Sequence, residues 1–133
     1  MTNLLGVDVG TVRIGLATAD SIVPIAVPLE TLTVDGQEIE KIAQVIADKK
    51  VETVVVGYPR NQSGEATEQT TYSENFAEKL KPYATVIFQD ESLTSIMAEE
   101  RLKATGKPYE KADIDALAAA IILQDYLEIH HAA

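Results

Sequence analysis

Three carboxylates, far apart in the chain, have the type and local setting for metal-assisted chemistry. Asp8 interrupts the apolar run "LLGVDVGTVRIGLATAD", residues 4–20, Glu91 follows the apolar "TVIFQ", and Asp115 opens the run "DALAAAIIL". Asp is depleted in strands, and a buried carboxylate is costly unless it is paired, metal-bound or protonated. The chain has no cysteine, and its two histidines, His130 and His131, are adjacent near the end of the sequence, where they are expected to be exposed and idle. Any metal is therefore expected on oxygen donors, a hard set suited to Mg²⁺ or Mn²⁺ rather than zinc. Such a site suits phosphodiester hydrolysis, in which metals activate water and stabilise the departing oxygen. Without a cation the three carboxylates repel one another.

Each of the three also has a plainer reading. Asp8 caps the Gly10-Thr11 turn, and Glu91 and Asp115 are solvated residues at helix starts, favoured by the helix dipole. Asp113 is then the N-cap of the last helix, with Asp90 and Asp20 as spare acidic candidates.

The elements that must position these residues are legible from periodicity. Residues 3–9 and 13–19 read as strands joined by the short link "GTV", and "IAVPLETLTV" is a third strand closed by the Asp35-Gly36 turn. A helix is expected from Gln37 to Lys49, with Ile39, Ile42, Ala43 and Ile46 along one side. The strand "ETVVVGYP" follows, and the polar loop "RNQSGEATEQT" leads into a helix ending near Leu80 that carries Phe76, Ala77 and Leu80 on one face. Next come the strand "ATVIFQDE" and the helix "SLTSIMAEERLKA", with Ser92 as N-cap and Gly106 and Pro108 as stop signals. A last helix is expected from near Asp113, apolar from Ala116 to Leu123.

The order β-β-β-α-β-α-β-α-α predicts an α/β fold. Its expected core is a mixed five-stranded sheet of order 3-2-1-4-5, with the first three strands antiparallel and helices on both faces. Asp8 and Glu91 then stand at the carboxyl ends of two parallel strands with one strand between them, backbones about 10 Å apart, where open α/β sheets place their ligand sites. Asp115 shares a helical face with Ala118, Ala119 and Ile122, the small-residue face suited to packing on a sheet.

Length and composition fit one domain spanning 1–133. The 133 residues are 46% hydrophobic and 24% charged, and no apolar run approaches the ~18 residues of a membrane span. The start "MTNLLGVDVG" has no basic region of the kind that opens a signal peptide, so a cytoplasmic location is expected, with no membrane partner. The formal charge of -10 argues against a broadly basic surface, although Arg101, Lys103, Lys107 and Lys111 share the window "RLKATGKPYEK" and form a candidate positive patch.

The chain resembles the YqgF/RuvX family. These are small bacterial proteins with a ribonuclease H-like fold, described as Holliday junction resolvases and as nucleases that mature the precursor of small-subunit ribosomal RNA. The resemblance lies in "GVDVGTVRIGLATAD", "VVVGYPRNQSGE", "FQDESLTSIMAEERL" and "KADIDALAAAIILQDYLE", in that order, and covers nearly the whole sequence. It implies catalytic, metal-binding carboxylates at Asp8, Glu91 and Asp115, the last preferred to Asp113 because it lies six residues before "IIL". It also implies phosphate contact at Arg13 and a substrate groove lined by the loop holding Arg60 and Asn61, with nucleic acid as partner and a monomer or homodimer as the assembly. Val12 and Ser92 stand where family members usually carry basic residues, which lowers the positive charge beside the site.

Two other readings compete. "GVDVGT" also resembles the first phosphate loop of actin-like and sugar-kinase ATPases, which close two such domains over a nucleotide. A non-catalytic ribosome- or nucleic-acid-associated factor with a vestigial site fits the acidic charge.

Overall fold

The structure is a computed structural model that describes residues 3–20, 22–59, 68–91 and 94–131. Its strands are β1 (Asn3–Val9), β2 (Arg13–Asp20), β3 (Val27–Thr33), β4 (Val51–Pro59) and β5 (Thr85–Glu91). The helices are α1 (Glu38–Lys49), α2 (Glu68–Leu80), α3 (Thr94–Ala104) and α4 (Lys111–His131). The strands form one sheet of order β3-β2-β1-β4-β5, with β1–β2 and β2–β3 antiparallel and β1–β4 and β4–β5 parallel. This is the order and polarity expected from the sequence. Among the described residues no helix is long and apolar enough to cross a membrane.

Strand β1 lies in the middle of the sheet and is covered on both sides, which is why its sequence is apolar at nearly every position rather than at alternate ones. Leu5, Val7 and Val9 face one side, where they join Ile14, Leu16, Val54, Val56 and the helix residues Ile42, Ile46, Phe76 and Leu80 in the larger core cluster. Leu4 faces the other side and packs with Ala17, Ala19, Val55, Ala119, Ile122, Leu123 and Leu127 under α4. Helix α3 covers α4 through Ala98, which meets Ala118 and Ile121. With neighbours on both of its sides, α4 needs the unbroken apolar stretch from Ala116 to Leu123.

Helix α4 begins two residues before the expected Asp113. Glu110 precedes it and donates its backbone N–H to Asp113 Oδ2 at 2.9 Å, so Asp113 is the reach-back member of a capping box rather than the N-cap. Thr31 Oγ1 donates to the Ala112 carbonyl at 2.6 Å, which ties this first turn to the edge strand β3.

Candidate active site

Two glycines decide where α4 can lie. A Cβ added to Gly6 would come within 2.8 Å of both the Ala119 carbonyl oxygen and the Leu123 side chain, and one added to Gly15 would overlap the Asp115 carbonyl group. Helix α4 therefore rests directly on the backbone of β1 and β2, closer than any side chain on those strands would permit. Gly15 is also the register partner of Asp8. Directly opposed residues of an antiparallel pair point to the same face, with Cβ positions roughly 5 Å apart. Asp8 thus emerges on the α4 face beside the first turn of α4, and the packing that buries the alanine face delivers Asp115 to it.

The hairpin between β1 and β2 supports the same edge. A Cβ on Gly10 would overlap the Arg13 carbonyl oxygen, so only glycine fits the turn after Asp8-Val9. Gln69 of α2 donates from Nε2 to the Val9 carbonyl at 3.2 Å and fastens the carboxyl end of β1. Arg13, the first residue of β2, lies on the α4 face and donates from Nε to Asp115 Oδ2 at 2.6 Å. That ion pair is part-buried, with the two side chains 35% and 20% exposed. In front of it lies a cleft of about 370 Å³ lined by Arg13, Ile96, Glu99, Lys111, Ile114 and Asp115.

The expected residues divide into three groups. Asp8, Arg13, Asp115 and Lys111 are brought to this edge of the sheet. Glu91 is the last residue of β5, two strands from β1, in register with Pro59 of β4. Its side chain lies outside the described residues, as do Arg60, Asn61 and Ser92. The remaining basic residues do not line the cleft. Arg101 acts on the Asp125 carboxyl further along α4, and Lys103 and Lys107 are exposed near the end of α3. His130 is exposed and stacks on Tyr126 with ring centroids 4.2 Å apart, at the opposite end of α4 from Asp115.

Glu99 is an acidic cleft residue that sequence reasoning passed over. Its Oε2 accepts a hydrogen bond from the Tyr109 hydroxyl at 3.1 Å. Burial first, and then this bond, raise the tyrosine above its usual value. The only sequence signal for it was membership of the helix "SIMAEERL", which has no strong apolar stripe to orient it.

Among the described residues no three acidic or imidazole groups are clustered tightly enough to hold an ion between them. The donor chemistry at the edge nevertheless fits a hard cation. Asp8 and Asp115 supply carboxylate oxygen, and neither thiol nor imidazole competes with them there.

Residues 2–129 match the family described as RuvX: Holliday junction resolvase. A protein of Sulfurihydrogenibium sp. (strain YO3AOP1), named "Putative pre-16S rRNA nuclease", is 40% identical over 132 residues, covering 96% of this chain and 91% of its own. One of the same name from Chloroflexus aggregans is 42% identical, covering 94% and 92%. Among solved structures, T. thermophilus RuvC in complex with Holliday junction substrate superposes with a TM-score of 0.58 at 17% identity, covering 98% of this chain and 96% of that one. The Fowlpox virus resolvase in complex with Holliday junction DNA gives 0.57 at 14%, covering 96% and 98%. At such identities the structures establish the ribonuclease H-like fold and nothing finer. With the family matched over almost its entire length and relatives near 40% identity, the chain belongs to the RuvX family.

Proposed function

We propose that this chain is a divalent-metal-dependent endonuclease that hydrolyses phosphodiesters of structured nucleic acid, ribosomal RNA precursor or branched DNA. The observation that carries the reading is the convergence of Asp8 and Asp115 on one face at the carboxyl edge of the sheet, enforced by Gly15. The names borne by its relatives support the substrate class. Asp8, Asp115 and Glu91 are the residues that would hold Mg²⁺ or Mn²⁺. When bound, such an ion supplies Lewis acidity to a phosphoryl oxygen and lowers the pKa of water. Arg13 and Lys111 offer positive charge to a phosphate at the same edge. Arg60, Asn61, Arg101, Lys103 and Lys107 are further candidate contacts with the nucleic acid, on the strength of the sequence alone. Trimming of RNA asks for one chain, whereas symmetric cutting of a four-way junction asks for a two-fold pair.

One observation favours a second reading. The Asp115 carboxylate is already paired with Arg13, and the formal charge of -10 repels nucleic acid, as expected of a non-catalytic factor with a vestigial site. Cleavage of a ribosomal RNA precursor and of four-way DNA junctions, with Mg²⁺, with Mn²⁺ and with chelator, separates the two. The expected result is metal-dependent cutting by the wild type, reduced by on the order of 10²-fold or more in Asp8→Asn, since even outer-shell partners of metal ligands are worth 10–100-fold. Asp113→Ala is the control: it removes the reach-back hydrogen bond of the capping box, lowers stability slightly and leaves cleavage in place. Equal cleavage by wild type and Asp8→Asn sinks the site, and metal-independent inactivity of the wild type on both substrates favours the vestigial factor.

A further inference from the structure

The Arg13–Asp115 pair joins the two halves of the proposed chemistry, a phosphate-binding cation and a metal-binding anion. Arg13 reaches Asp115 through Nε and a single carboxylate oxygen, rather than through the two-pronged contact that makes an arginine–carboxylate pair hard to displace. Among the described residues its terminal nitrogens make no further hydrogen bond. The guanidinium borders the cleft of about 370 Å³, with Lys111 and Glu99 as the other charged walls, so it has room to leave the carboxylate without leaving the site. A carboxylate 20% exposed beside an apolar core needs a positive partner, and among the described residues Arg13 is the one in contact with it.

We propose that Arg13 is a positioning residue that stands in for the cation. It neutralises Asp115 while that carboxylate has no metal, and is released towards the cleft when a divalent ion takes its place. Metal binding then frees a guanidinium for a substrate phosphate. Linkage makes the effect reciprocal: metal strengthens phosphate binding by the same factor that phosphate strengthens metal binding. The inference rests on the nuclease reading above.

The test measures binding rather than turnover. Mg²⁺ is titrated calorimetrically into wild type, Arg13→Gln, Arg13→Lys and Asp115→Asn, each checked for folding by circular dichroism. The Arg13 Nε–H resonance of the wild type is followed in parallel by NMR. The expected results are Mg²⁺ affinity raised at least fivefold in Arg13→Gln and near wild type in Arg13→Lys. The Arg13 Nε–H signal should also lose its hydrogen-bonded shift as Mg²⁺ saturates. In the presence of Ca²⁺, binding of a single-stranded oligonucleotide should tighten with metal in the wild type and lose that dependence in Arg13→Gln. Saturable Mg²⁺ binding by the wild type, lost in Asp115→Asn, together with an unchanged or weakened affinity in Arg13→Gln or an unmoved Nε–H signal, overturns the stand-in role and leaves the nuclease reading intact. A folded wild type that binds no Mg²⁺ overturns both.

Discussion

The two faces of the sheet are built on opposite packing rules. On the face covered by α1 and α2, large side chains meet large side chains: Ile42, Ile46, Phe76 and Leu80 sit on Leu5, Val7, Val54 and Val56. On the face covered by α4, glycine and alanine set how closely the helix approaches, with Gly6 and Gly15 under Ala119 and Asp115 and Ala17 and Ala19 beside them, while Leu4, Val55, Ile122, Leu123 and Leu127 fill the rest of that core. The first arrangement removes more apolar area from water per contact. The second brings backbone against backbone, and so it fixes the position of a polar side chain at the helix start to within a fraction of a turn. Both faces bury large apolar side chains, but the geometry of the site comes from the close approach on the α4 face.

Substitution at Gly15 should break this contrast most severely. Gly15→Val places branched carbons where the Asp115 carbonyl group now lies, and that obstacle is backbone rather than a side chain that can turn aside. The helix start must lift, which costs upwards of about 2 kcal/mol in overpacking and separates Asp115 from Asp8. The expected outcome is a lower thermal midpoint together with loss of cleavage and of Mg²⁺ binding in whatever fraction remains folded. Leu80→Ala on the other face is the counterpart. Leu80 is fully buried, and its truncation should cost about 2–5 kcal/mol. Even so, cleavage per folded molecule, measured well below the lowered midpoint, should stay within about twofold of wild type. Comparable damage to the site from both variants would show that the division between the faces is false.

The same contrast explains what could be read from the sequence. Strand and helix order, sheet order and the α1–α2 core follow from apolar periodicity, because large side chains at regular spacing announce a buried face. Asp8 was conspicuous as a charge in an apolar run, and its consequence could be argued from strand geometry. The partnership of Asp115 with Arg13 was not legible. It depends on Gly15 admitting the helix backbone, and a glycine in a strand looks like a loss of packing until the partner helix is in place. The role of Asp113 is hidden from the sequence for a similar reason. Capping depends on which residue first takes helical dihedrals, and the tie from Thr31 to Ala112 starts the helix at Lys111, one turn's worth of context that periodicity does not carry.

The faces also differ in how their carboxylates titrate, which yields the smallest expected effect. At the start of α1, Asp35 is held below its usual range by the Gln37 backbone amide and then by Lys41. Glu38 is held down by its own amide and by those of Gly36 and Asp35. On α4 the sense is reversed: burial, reinforced by Glu128 and opposed by Arg101, pushes Asp125 above its ordinary 3.8. A carboxyl raised in the folded state contributes stability that is complete below the unfolded value and is lost as pH rises through the folded one. Asp125→Asn, which cannot ionise, should therefore unfold at a slightly higher temperature than wild type at pH 7. The gain should vanish as pH falls to about 3, where both side chains are neutral. Asp35→Asn should behave oppositely: a lowered carboxyl contributes stability that is present above its unfolded value and lost as pH falls through the folded one, so the variant is less stable than wild type at pH 7 and the deficit shrinks below about 3.8. Thermal midpoints of the three proteins across that range would decide the matter, and parallel rather than converging curves for Asp125→Asn would mean that its carboxyl is not under strain from burial against α3.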